Sequence, residues 1–511
     1  MQKEEYHNDI SMLGKLILEK LKKLKVFVWG AQSLGAEISK NITYYSIDEL
    51  VIYDQEKIGQ EDLSGSTYGK EEDVQQGLTR AEVCQKWLQK LQNVVQVEVC
   101  QQFVLEESLK NINLIILTQI LNEKQMIDIN NYCRENNIGF ILVGVYGLYC
   151  YSMVDFGNNY KLHDRDGVDT YPLMISSISK SNPGVVNLVN QQKHNFQTGD
   201  FVRITEVDGM YQVNGQEPRP VKVIDDYSFS IEDTTYYAQY QKGGFAELVK
   251  VPHKIKFNSL DSLINGTKPQ ILNSTYKNIK LLHMFWKCLI QYKTKYDKLP
   301  EIFNEQAYEQ IFEIAQTINE QNKDKSPEFY IENIDQSQLK LLTKYCSVQI
   351  APLCIGWAGL IKKEILSFCG KYEPIRQIFH MDFFELSPKQ EVNADQVEKN
   401  NNTGYDQQVA LISTQGQEKL INYKMGIMGA GSNGCDLAKN LVLMGAQTGE
   451  NGLLDILDAD THKTFNLYSH QQTTEDVVDK SKAEVGTQKL ADKSSENDLS
   501  DEQQKNSNQL E

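Results

Sequence analysis

Two glycine turns in this sequence have residue types and spacings that could bind a phosphate group. The later turn places Gly429, Gly431 and Gly434 between an apolar run and an amphipathic segment. Glycines at these positions let the backbone approach a phosphate, whose charge is stabilised by free amide groups and by the helix dipole. The earlier turn, at 30–35, has Gln32 in place of the middle glycine. We therefore predict a nucleotide site at the second turn and a structural role for the first.

Two polar residues further along the chain could complete the second site. Asp458 ends the next apolar run, where a carboxylate can accept hydrogen bonds from ribose hydroxyls. Lys482 could neutralise a phosphate. Each residue alone has a plainer explanation, because a strand-end aspartate can simply bind water and most lysines are solvated. The glycine motif alone also fits a dinucleotide-dependent oxidoreductase, because its spacing does not separate NAD sites from ATP sites.

The glycine turns belong to a unit that occurs twice along the chain. Each copy predicts a buried strand, a glycine turn and an amphipathic helix, followed by a second apolar run ending in Asp54 or Asp458. A segment with the pattern basic-Ala-Glu-Val then follows, at 80–83 in one copy and 482–485 in the other. Because these landmarks keep the same order, we predict two copies of one Rossmann-type α/β unit.

The chain between the two copies predicts other structures. Short β-rich runs at 201–204 and 221–224 flank Asn214-Gly215, a pair that predicts a hairpin. Helical spacing of apolar residues then predicts a small bundle. The segments concerned are 279–292, 305–322 and 336–342, followed by a strand at 378–384 and, at the chain end, a disordered polar tail at 491–511.

Bulk composition excludes several classes of protein. The net charge of −17 argues against nucleic acid or an anionic membrane as the main partner. No window approaches the roughly 18 apolar residues that a membrane-spanning helix needs, and the polar start is not a signal peptide. The nine cysteines include no Cys-x-x-Cys pair, which argues against a zinc site and a disulfide framework and fits a reducing compartment.

Further stretches keep a characteristic order along the chain: Leu34-Gly35-Ala36-Glu37-Ile38, Lys180-Ser181-Asn182-Pro183-Gly184, Gly370-Lys371-Tyr372-Glu373-Pro374 and Tyr405-Asp406-Gln407-Gln408. Together with the doubled unit they resemble the N-terminal half of eukaryotic ubiquitin-activating enzymes. The resemblance runs from about 6 to 490. It implies an α/β fold of the ThiF/MoeB-like Rossmann-type adenylation class, with an inserted small β-domain, a helical bundle and a truncated second α/β unit.

The resemblance also implies an order of domains. An inactive adenylation domain would occupy 1–170 and close with 344–388. The insertions would be a β-rich first catalytic-cysteine half-domain at 171–258 and a four-helix bundle at 259–343. The start of an active adenylation domain would occupy 389–490, before the polar tail at 491–511.

The activity implied by the resemblance is ATP-dependent adenylation of the C-terminus of ubiquitin or a ubiquitin-like protein, in the cytoplasm or nucleus. ATP with Mg²⁺ would be the cofactor, and pyrophosphate would leave as the modifier carboxylate attacks the α-phosphate. By resemblance Gly429, Gly431, Ser432 and Gly434 would line the phosphates. Asp458 would hold the ribose, and Lys482 would contact a phosphate. The residues assign no metal ligand of their own.

Departures from the family pattern predict that this chain alone is inactive. Ser469 and Asn8 stand where the family has arginines that contact ATP. Loss of one charge-assisted hydrogen bond costs about 1.5–3 kcal/mol, or about ten- to a hundredfold in binding. The family's thioester cysteine and magnesium-binding aspartate would lie beyond the matched region, so no catalytic residue is assigned. We expect a pseudoenzyme or, alternatively, a structural subunit or scaffold whose partner chain carries the active half.

Overall fold

The computed structural model describes residues 13–63, 68–91, 95–189, 193–215, 217–266, 278–387, 405–463 and 477–488. The chain divides into two compact units. The first comprises Met1–Asn158, Lys256–Phe368 and Pro374–Glu511, and the second comprises Asn159–Ile255 with Cys369–Glu373. Asn8, Ser469 and the polar tail lie outside the described residues. The predicted domain limits stay predictions.

The strands, numbered along the chain, are β1 Lys25–Trp29, β2 Glu49–Tyr53, β3 Gln96–Val99, β4 Leu114–Leu117, β5 Gly139–Tyr146, β6 Tyr149–Asp155, β7 Tyr160–Leu162, β8 Leu173–Ile178, β9 Val185–Leu188, β10 Phe201–Asp208, β11 Arg219–Pro220, β12 Lys222–Asp225, β13 Ser228–Ser230, β14 Lys242–Val249, β15 His253–Ile255, β16 Ile378–Asp382, β17 Lys424–Met428 and β18 Leu453–Leu457.

The α-helices are α1 Lys15–Leu21, α2 Ser33–Thr43, α3 Gln60–Leu63, α4 Glu71–Gln76, α5 Arg80–Leu91, α6 Leu105–Ser108, α7 Glu123–Glu135, α8 Leu260–Asn265, α9 Ile279–Tyr296, α10 Glu305–Lys325, α11 Gln336–Tyr345, α12 Ala351–Phe368, α13 Asp406–Ile412, α14 Thr414–Ile421, α15 Ser432–Leu443 and α16 482–488. Short 3₁₀ helices occupy Tyr211–Val213, Pro327–Phe329 and Phe384–Leu386. In the described part of the chain, no helix is both long and apolar enough to cross a membrane.

The first glycine turn follows an interior strand, β1, of a seven-stranded sheet. The strand order is β16-β6-β5-β4-β1-β2-β3, and β1 pairs in parallel with β2 on one side and β4 on the other. β5 and β4 are buried along their whole length, as expected of strands covered on both faces. The loop after β1 therefore opens at the carboxyl edge of the sheet, where such folds bind ligands.

The predicted helical bundle is present as α9, α10 and α11, each longer at its C-terminus than the sequence indicates. Two of these helices begin at a side-chain cap, because Asn304 accepts a hydrogen bond from the Ala307 amide at 3.0 Å and Asp335 from the Gln338 amide at 3.1 Å. One apolar cluster includes Trp286 of α9 and Trp29 of β1. The bundle thus packs on the sheet that carries the first turn.

The second compact unit is an antiparallel sheet with the order β11-β10-β14-β8-β9-β13-β12. The predicted hairpin around Asn214-Gly215 is present, because β10 pairs antiparallel with β11 at Arg219–Pro220. The return strand is short, since the following β12 pairs with β13 instead. Within the connecting loop, the Asn214 side chain accepts a hydrogen bond from the Val207 amide and donates one to the Val207 carbonyl, both at 2.9 Å. These bonds fold the loop back onto β10 before the return strand begins.

The second copy of the α/β unit is smaller in the part that the structure describes. β17 and β18 pair in parallel, and α15 covers them through a cluster of Ile427, Ala438 and Val442. Among the described residues β17 has one neighbouring strand, whereas β1 has two. Met428 and Leu457, at the ends of these strands, are 89% and 60% exposed. The second copy therefore presents apolar surface that the first copy buries.

Candidate nucleotide site

Both glycine turns begin with the same backbone geometry. Gly30 and Gly429 have φ angles of 97° and 103°, in the left-handed region that glycine adopts without steric cost. Each donates its amide to the neighbouring strand, Gly30 to the Tyr53 carbonyl at 2.8 Å and Gly429 to the Leu457 carbonyl at 2.7 Å. The two turns are thus held against their sheets in the same way.

The last glycine of each turn allows the helix to approach the turn. A Cβ atom on Gly35 would lie 2.0 Å from the Gly30 carbonyl oxygen, and one on Gly434 would lie 1.8 Å from the Gly429 oxygen. Real Cβ atoms do not come this close to another heavy atom. Both copies therefore keep this glycine for packing, whether or not a ligand binds.

The middle position separates the two copies. Gly431 has φ −73° and ψ −173°, and Gln32 has φ −66° and ψ −177°, so the backbone accepts a side chain at either place. Among the described residues no heavy atom lies within 4 Å of a Cβ built on Gly431. In the first copy the Gln32 side chain occupies this position and accepts a hydrogen bond from Gln349 Nε2 at 3.2 Å. Gly431 thus leaves open space at the N-terminus of α15, where phosphates bind.

The strand-end aspartates have the same backbone contacts but different environments. Asp458 Oδ2 accepts a hydrogen bond from the Ala430 amide at 2.6 Å, and Asp54 Oδ2 accepts one from the Ala31 amide at 2.8 Å. The Asp460 amide, which donates to Asp458 Oδ1 at 2.8 Å, is the largest cause that lowers the pKa of Asp458. Burial instead raises the pKa of Asp54. Asp458 is therefore the more accessible carboxylate of the two and has the lower pKa.

The basic residues at the start of α5 and α16 are also equivalent by their backbone contacts. The Arg80 amide donates to the Glu56 carbonyl at 2.9 Å, and the Lys482 amide donates to the Asp460 carbonyl at 3.0 Å. Arg80 Nε lies 2.8 Å from Asp62 Oδ2 in a pair whose side chains are 11% and 6% exposed. Lys482 Nζ lies 3.3 Å from Oδ2 of Asp460, and the Asp460 side chain is 76% exposed. The first cation is neutralised inside the protein, whereas the second has a solvated partner.

A tyrosine completes the closure of the first turn. The Tyr68 hydroxyl donates a hydrogen bond to the Ala31 carbonyl and is buried against the turn. The charges of Asp62 and Arg80 both act on the pKa of Tyr68, so this ion pair lies in the same electrostatic environment as the turn. The glycine motif indicates Gln32 but not Tyr68, since Tyr68 lies far from the turn in the sequence.

The structure brings most of the predicted site residues together. Gly429, Gly431 and Gly434 form the turn, and Asp458 is hydrogen-bonded to it through Ala430. The charge of Lys482 lowers the pKa of Asp458, which places the lysine in the same electrostatic environment. Ser432 begins α15 and is exposed. Asp460 is not among the predicted site residues, although its offset from Asp458 repeats that of Glu56 from Asp54.

The described residues fit a nucleotide better than they fit a protein-bound metal or a thiol nucleophile. Among the described residues, the space at Gly431 lies near the accessible carboxylate of Asp458, as an anionic ligand with hydroxyl groups would require. No group of three His, Cys, Asp or Glu side chains in the described part of the chain could hold a metal ion, so no residue is assigned to Mg²⁺. All nine cysteines are free, and all except Cys100 are buried. Burial raises the pKa of Cys435, the cysteine nearest the turn, to about 11.

Three regions match known protein families. Residues 181–250 match the ubiquitin-activating enzyme E1 FCCH domain, 251–319 match the ubiquitin-activating enzyme E1 four-helix bundle, and 405–506 match the ThiF family. Ubiquitin-like modifier-activating enzyme 1 of Rattus norvegicus is 32% identical over 468 residues, or 90% of this chain. The chain belongs to the ubiquitin-activating enzyme family. The predicted family and the predicted ThiF-type α/β fold are confirmed.

Other members of the ubiquitin-activating enzyme family give the same result. Ubiquitin-like modifier-activating enzyme 1 of Homo sapiens is 32% identical over 90% of this chain, and ubiquitin-activating enzyme E1 2 of Arabidopsis thaliana is 31% identical over 91%. The chain spans 43% of the length of each of these relatives. Among solved structures, E. coli MccB with ATP is 19% identical with a TM-score of 0.27, covering 30% of this chain and 49% of that chain.

Proposed function

We propose that this chain takes part in the ATP-dependent activation of ubiquitin or a ubiquitin-like protein and that its second glycine turn is the nucleotide site. The observation that carries the proposal is the contrast at one backbone position, where no described atom lies within 4 Å of a Cβ built on Gly431, whereas the side chain of Gln32 fills the equivalent place. Family membership supports ATP as the nucleotide and a modifier as the partner. It also suggests the cytoplasm or nucleus as the location, which a fluorescent fusion would test.

Each residue of the second turn has a defined task in this proposal. The amides at Gly431 and at the first turn of α15 bind the phosphates, because they carry the positive end of the helix dipole. Asp458 accepts hydrogen bonds from the ribose, and Lys482 offsets phosphate charge. Bound ATP with Mg²⁺ supplies the adenylyl group and the pyrophosphate that leaves. The chain's own residues bind and orient the nucleotide and offset its negative charge.

The same proposal assigns this chain a weak or incomplete activity when it acts alone. Ser469 and Asn8 remove two positive charges that the family uses on ATP. Eight of the nine cysteines are buried, and burial raises the pKa of the Cys84 and Cys435 thiols, so neither is a thiolate nucleophile at neutral pH. We therefore propose that the chain binds ATP but does not carry a modifier as a thioester.

ATP–pyrophosphate exchange tests this assignment with the purified chain. We expect ATP to bind with Mg²⁺ present and exchange to stay at background when ubiquitin or a ubiquitin-like protein is added. Modifier-dependent exchange by the chain alone would refute the proposal that its activity is incomplete. Absence of ATP binding would instead refute the proposed nucleotide site.

A second candidate function is that of a structural subunit, and one observation favours it. Met428, Leu453 and Leu457 are 89%, 48% and 60% exposed on the β17–β18 sheet. In the first copy the equivalent strand is β1, and β4 pairs with it in parallel on the side away from β2. We propose that a polypeptide segment with an apolar parallel strand adds to β17 in the same way.

Reconstitution with a defined partner tests this second candidate. The partner is a purified polypeptide with the later strands of the ThiF fold and the catalytic cysteine, taken from a full-length family member. A stable complex that is lost in a Met428→Lys, Leu457→Asp variant would support the subunit role. A wild-type chain that forms no complex with it in titration would contradict that role.

A further inference from the structure

A buried ion pair joins the two helices that follow the glycine turns. Glu37 Oε1 on α2 lies 3.7 Å from Lys439 Nζ on α15, and the two side chains are 5% and 10% exposed. The other carboxylate oxygen of Glu37 pairs with Lys40, whose side chain is also 5% exposed. A single buried carboxylate therefore contacts one lysine from each copy of the repeated unit.

The position of these residues follows from the repeat. Glu37 and Lys40 stand two and five residues after the last glycine of the first turn, and Asp436 and Lys439 stand at the same offsets in the second. Asp436 is exposed, however, whereas Glu37 is buried. The first copy thus supplies a buried acid that its counterpart in the second copy does not match.

Lys439 is connected to the second glycine turn through helix α15. α15 begins at Ser432, and Lys439 lies on the same face about two helical turns further on. Because a helix this short moves as a rigid rod, a contact that fixes Lys439 also fixes the rotation of the first turn, and with it the amides at Gly431 and Ser432. Loss of Glu37 would leave two buried ammonium groups without this carboxylate, which favours displacement of α15.

A second contact between the copies lies at the first turn itself. Gln349 Nε2 donates to Gln32 Oε1 at 3.2 Å, and the Gln349 amide donates to Gln407 Oε1 at 2.7 Å. Gln407 lies on α13, at the start of the second copy. The side chain that fills the first turn therefore belongs to a hydrogen-bond path toward the second copy, independent of the ion pair.

We propose that Glu37 is a positioning residue for nucleotide binding, through which the copy without a phosphate site holds the helix of the copy that has one. This inference rests on the nucleotide site proposed above, and it adds that the first copy of the repeat determines how well that site binds the nucleotide. The helix that follows the first turn then has a role in the second site, because Glu37 of α2 forms ion pairs with both Lys40 of α2 and Lys439 of α15.

The test compares Glu37→Gln with Glu49→Gln. Glu49 pairs with Lys25 at 2.7 Å in the same copy, on side chains that are 18% and 33% exposed, and so serves as a matched control. Hydrogen exchange of the 429–443 segment and the affinity for ATP with Mg²⁺ are measured for both variants. We expect faster exchange in that segment and about tenfold weaker ATP binding for Glu37→Gln, within the range of coupled sites, and no change for Glu49→Gln.

Lys439→Gln and the double variant distinguish positioning from general damage. If Glu37 acts through Lys439, the double variant weakens ATP binding no more than the stronger single variant. Additive losses would overturn the proposal, as would wild-type exchange at 429–443 in Glu37→Gln or an increase spread evenly over the whole chain. A wild-type chain that binds no ATP refutes the proposed function, and exchange at 429–443 then still decides whether Glu37 holds α15.

Discussion

Asp458 Oδ2 accepts a hydrogen bond from the Ala430 amide at 2.6 Å, so the end of β18 is tied to the second glycine turn. Asp54 makes the same contact with Ala31 at 2.8 Å in the first copy. The carboxylate therefore has a structural task in both copies, and any contact with ribose is additional in the second. Equivalent substitutions at the two positions separate these tasks.

Asp458→Asn should weaken ATP binding, whereas Asp54→Asn should not. An asparagine keeps one acceptor for the turn but loses the negative charge and the second acceptor oxygen. We expect about a ten- to hundredfold loss of ATP affinity for Asp458→Asn, as for removal of a charge-assisted hydrogen bond. Titration calorimetry with ATP and Mg²⁺ measures it. Equal losses in both variants would show that Asp458 supports only the turn.

Glycine substitutions in the second turn should divide into tolerated and destabilising changes. Gly431→Ala should change the free energy of unfolding by less than about 0.5 kcal/mol, since its φ is ordinary and no described atom opposes a Cβ there. Gly434→Ala should cost several kcal/mol, because its Cβ would meet the Gly429 oxygen at 1.8 Å. Denaturant unfolding of both variants measures the difference. A costly Gly431→Ala would mean that the middle glycine is kept for the fold.

Asp62→Asn should destabilise the first copy strongly. Asp62 and Arg80 form a buried pair at 2.8 Å, and removal of one partner leaves a buried charge at a cost of about 3–5 kcal/mol. The exposed Lys298–Glu301 pair serves as the control, because Glu301→Gln should leave stability unchanged. Thermal unfolding compares the two. Equal stability of both variants would contradict a closed, internally neutralised first site.

Two buried histidines should make the fold sensitive to acid. His380 lies between Tyr149 and His283, with its Nδ1 2.8 Å from the tyrosine hydroxyl and its Nε2 3.2 Å from His283 Nδ1. Burial lowers the pKa of His380 to about 3, and burial with the nearby His380 lowers the pKa of His283 well below its usual value.

The direction of the pH effect follows from proton binding. Unfolded histidines take up protons below about pH 6.5, while the folded pair stays neutral to a much lower pH, so the unfolded chain binds more protons in between. Stability should therefore fall as pH drops from about 6.5 toward 3, by up to about 1.4 kcal/mol per pH unit for each histidine. A His283→Gln, His380→Gln variant should have a shallower slope in denaturant unfolding, and His253→Gln, at an exposed site, should not. Parallel slopes in all three proteins would refute this.

Local patterns predicted the parts of the site that neighbouring residues form. The glycine spacing and the strand-end Asp458 follow from strand–turn–helix geometry, which is encoded over a few residues. The closure of the first turn by Tyr68 and the contact of Glu37 with Lys439 depend on residues far apart in sequence, so no local pattern predicts them. The Asn214-Gly215 pair indicates the hairpin of β10 and β11 but not the length of its loop, in which the Asn214 side chain bonds the backbone of Val207.

The assignment of opposite roles to the two turns is tested most directly by ATP titration calorimetry of wild type, Gly431→Gln and Gln32→Gly in the presence of Mg²⁺. Gly431→Gln gives the second turn the side chain that fills the first, and Gln32→Gly is the reciprocal change. We predict a single ATP bound by wild type, its loss in Gly431→Gln and unchanged binding in Gln32→Gly. Unaltered ATP binding by Gly431→Gln would contradict the assignment of the nucleotide site to the second turn.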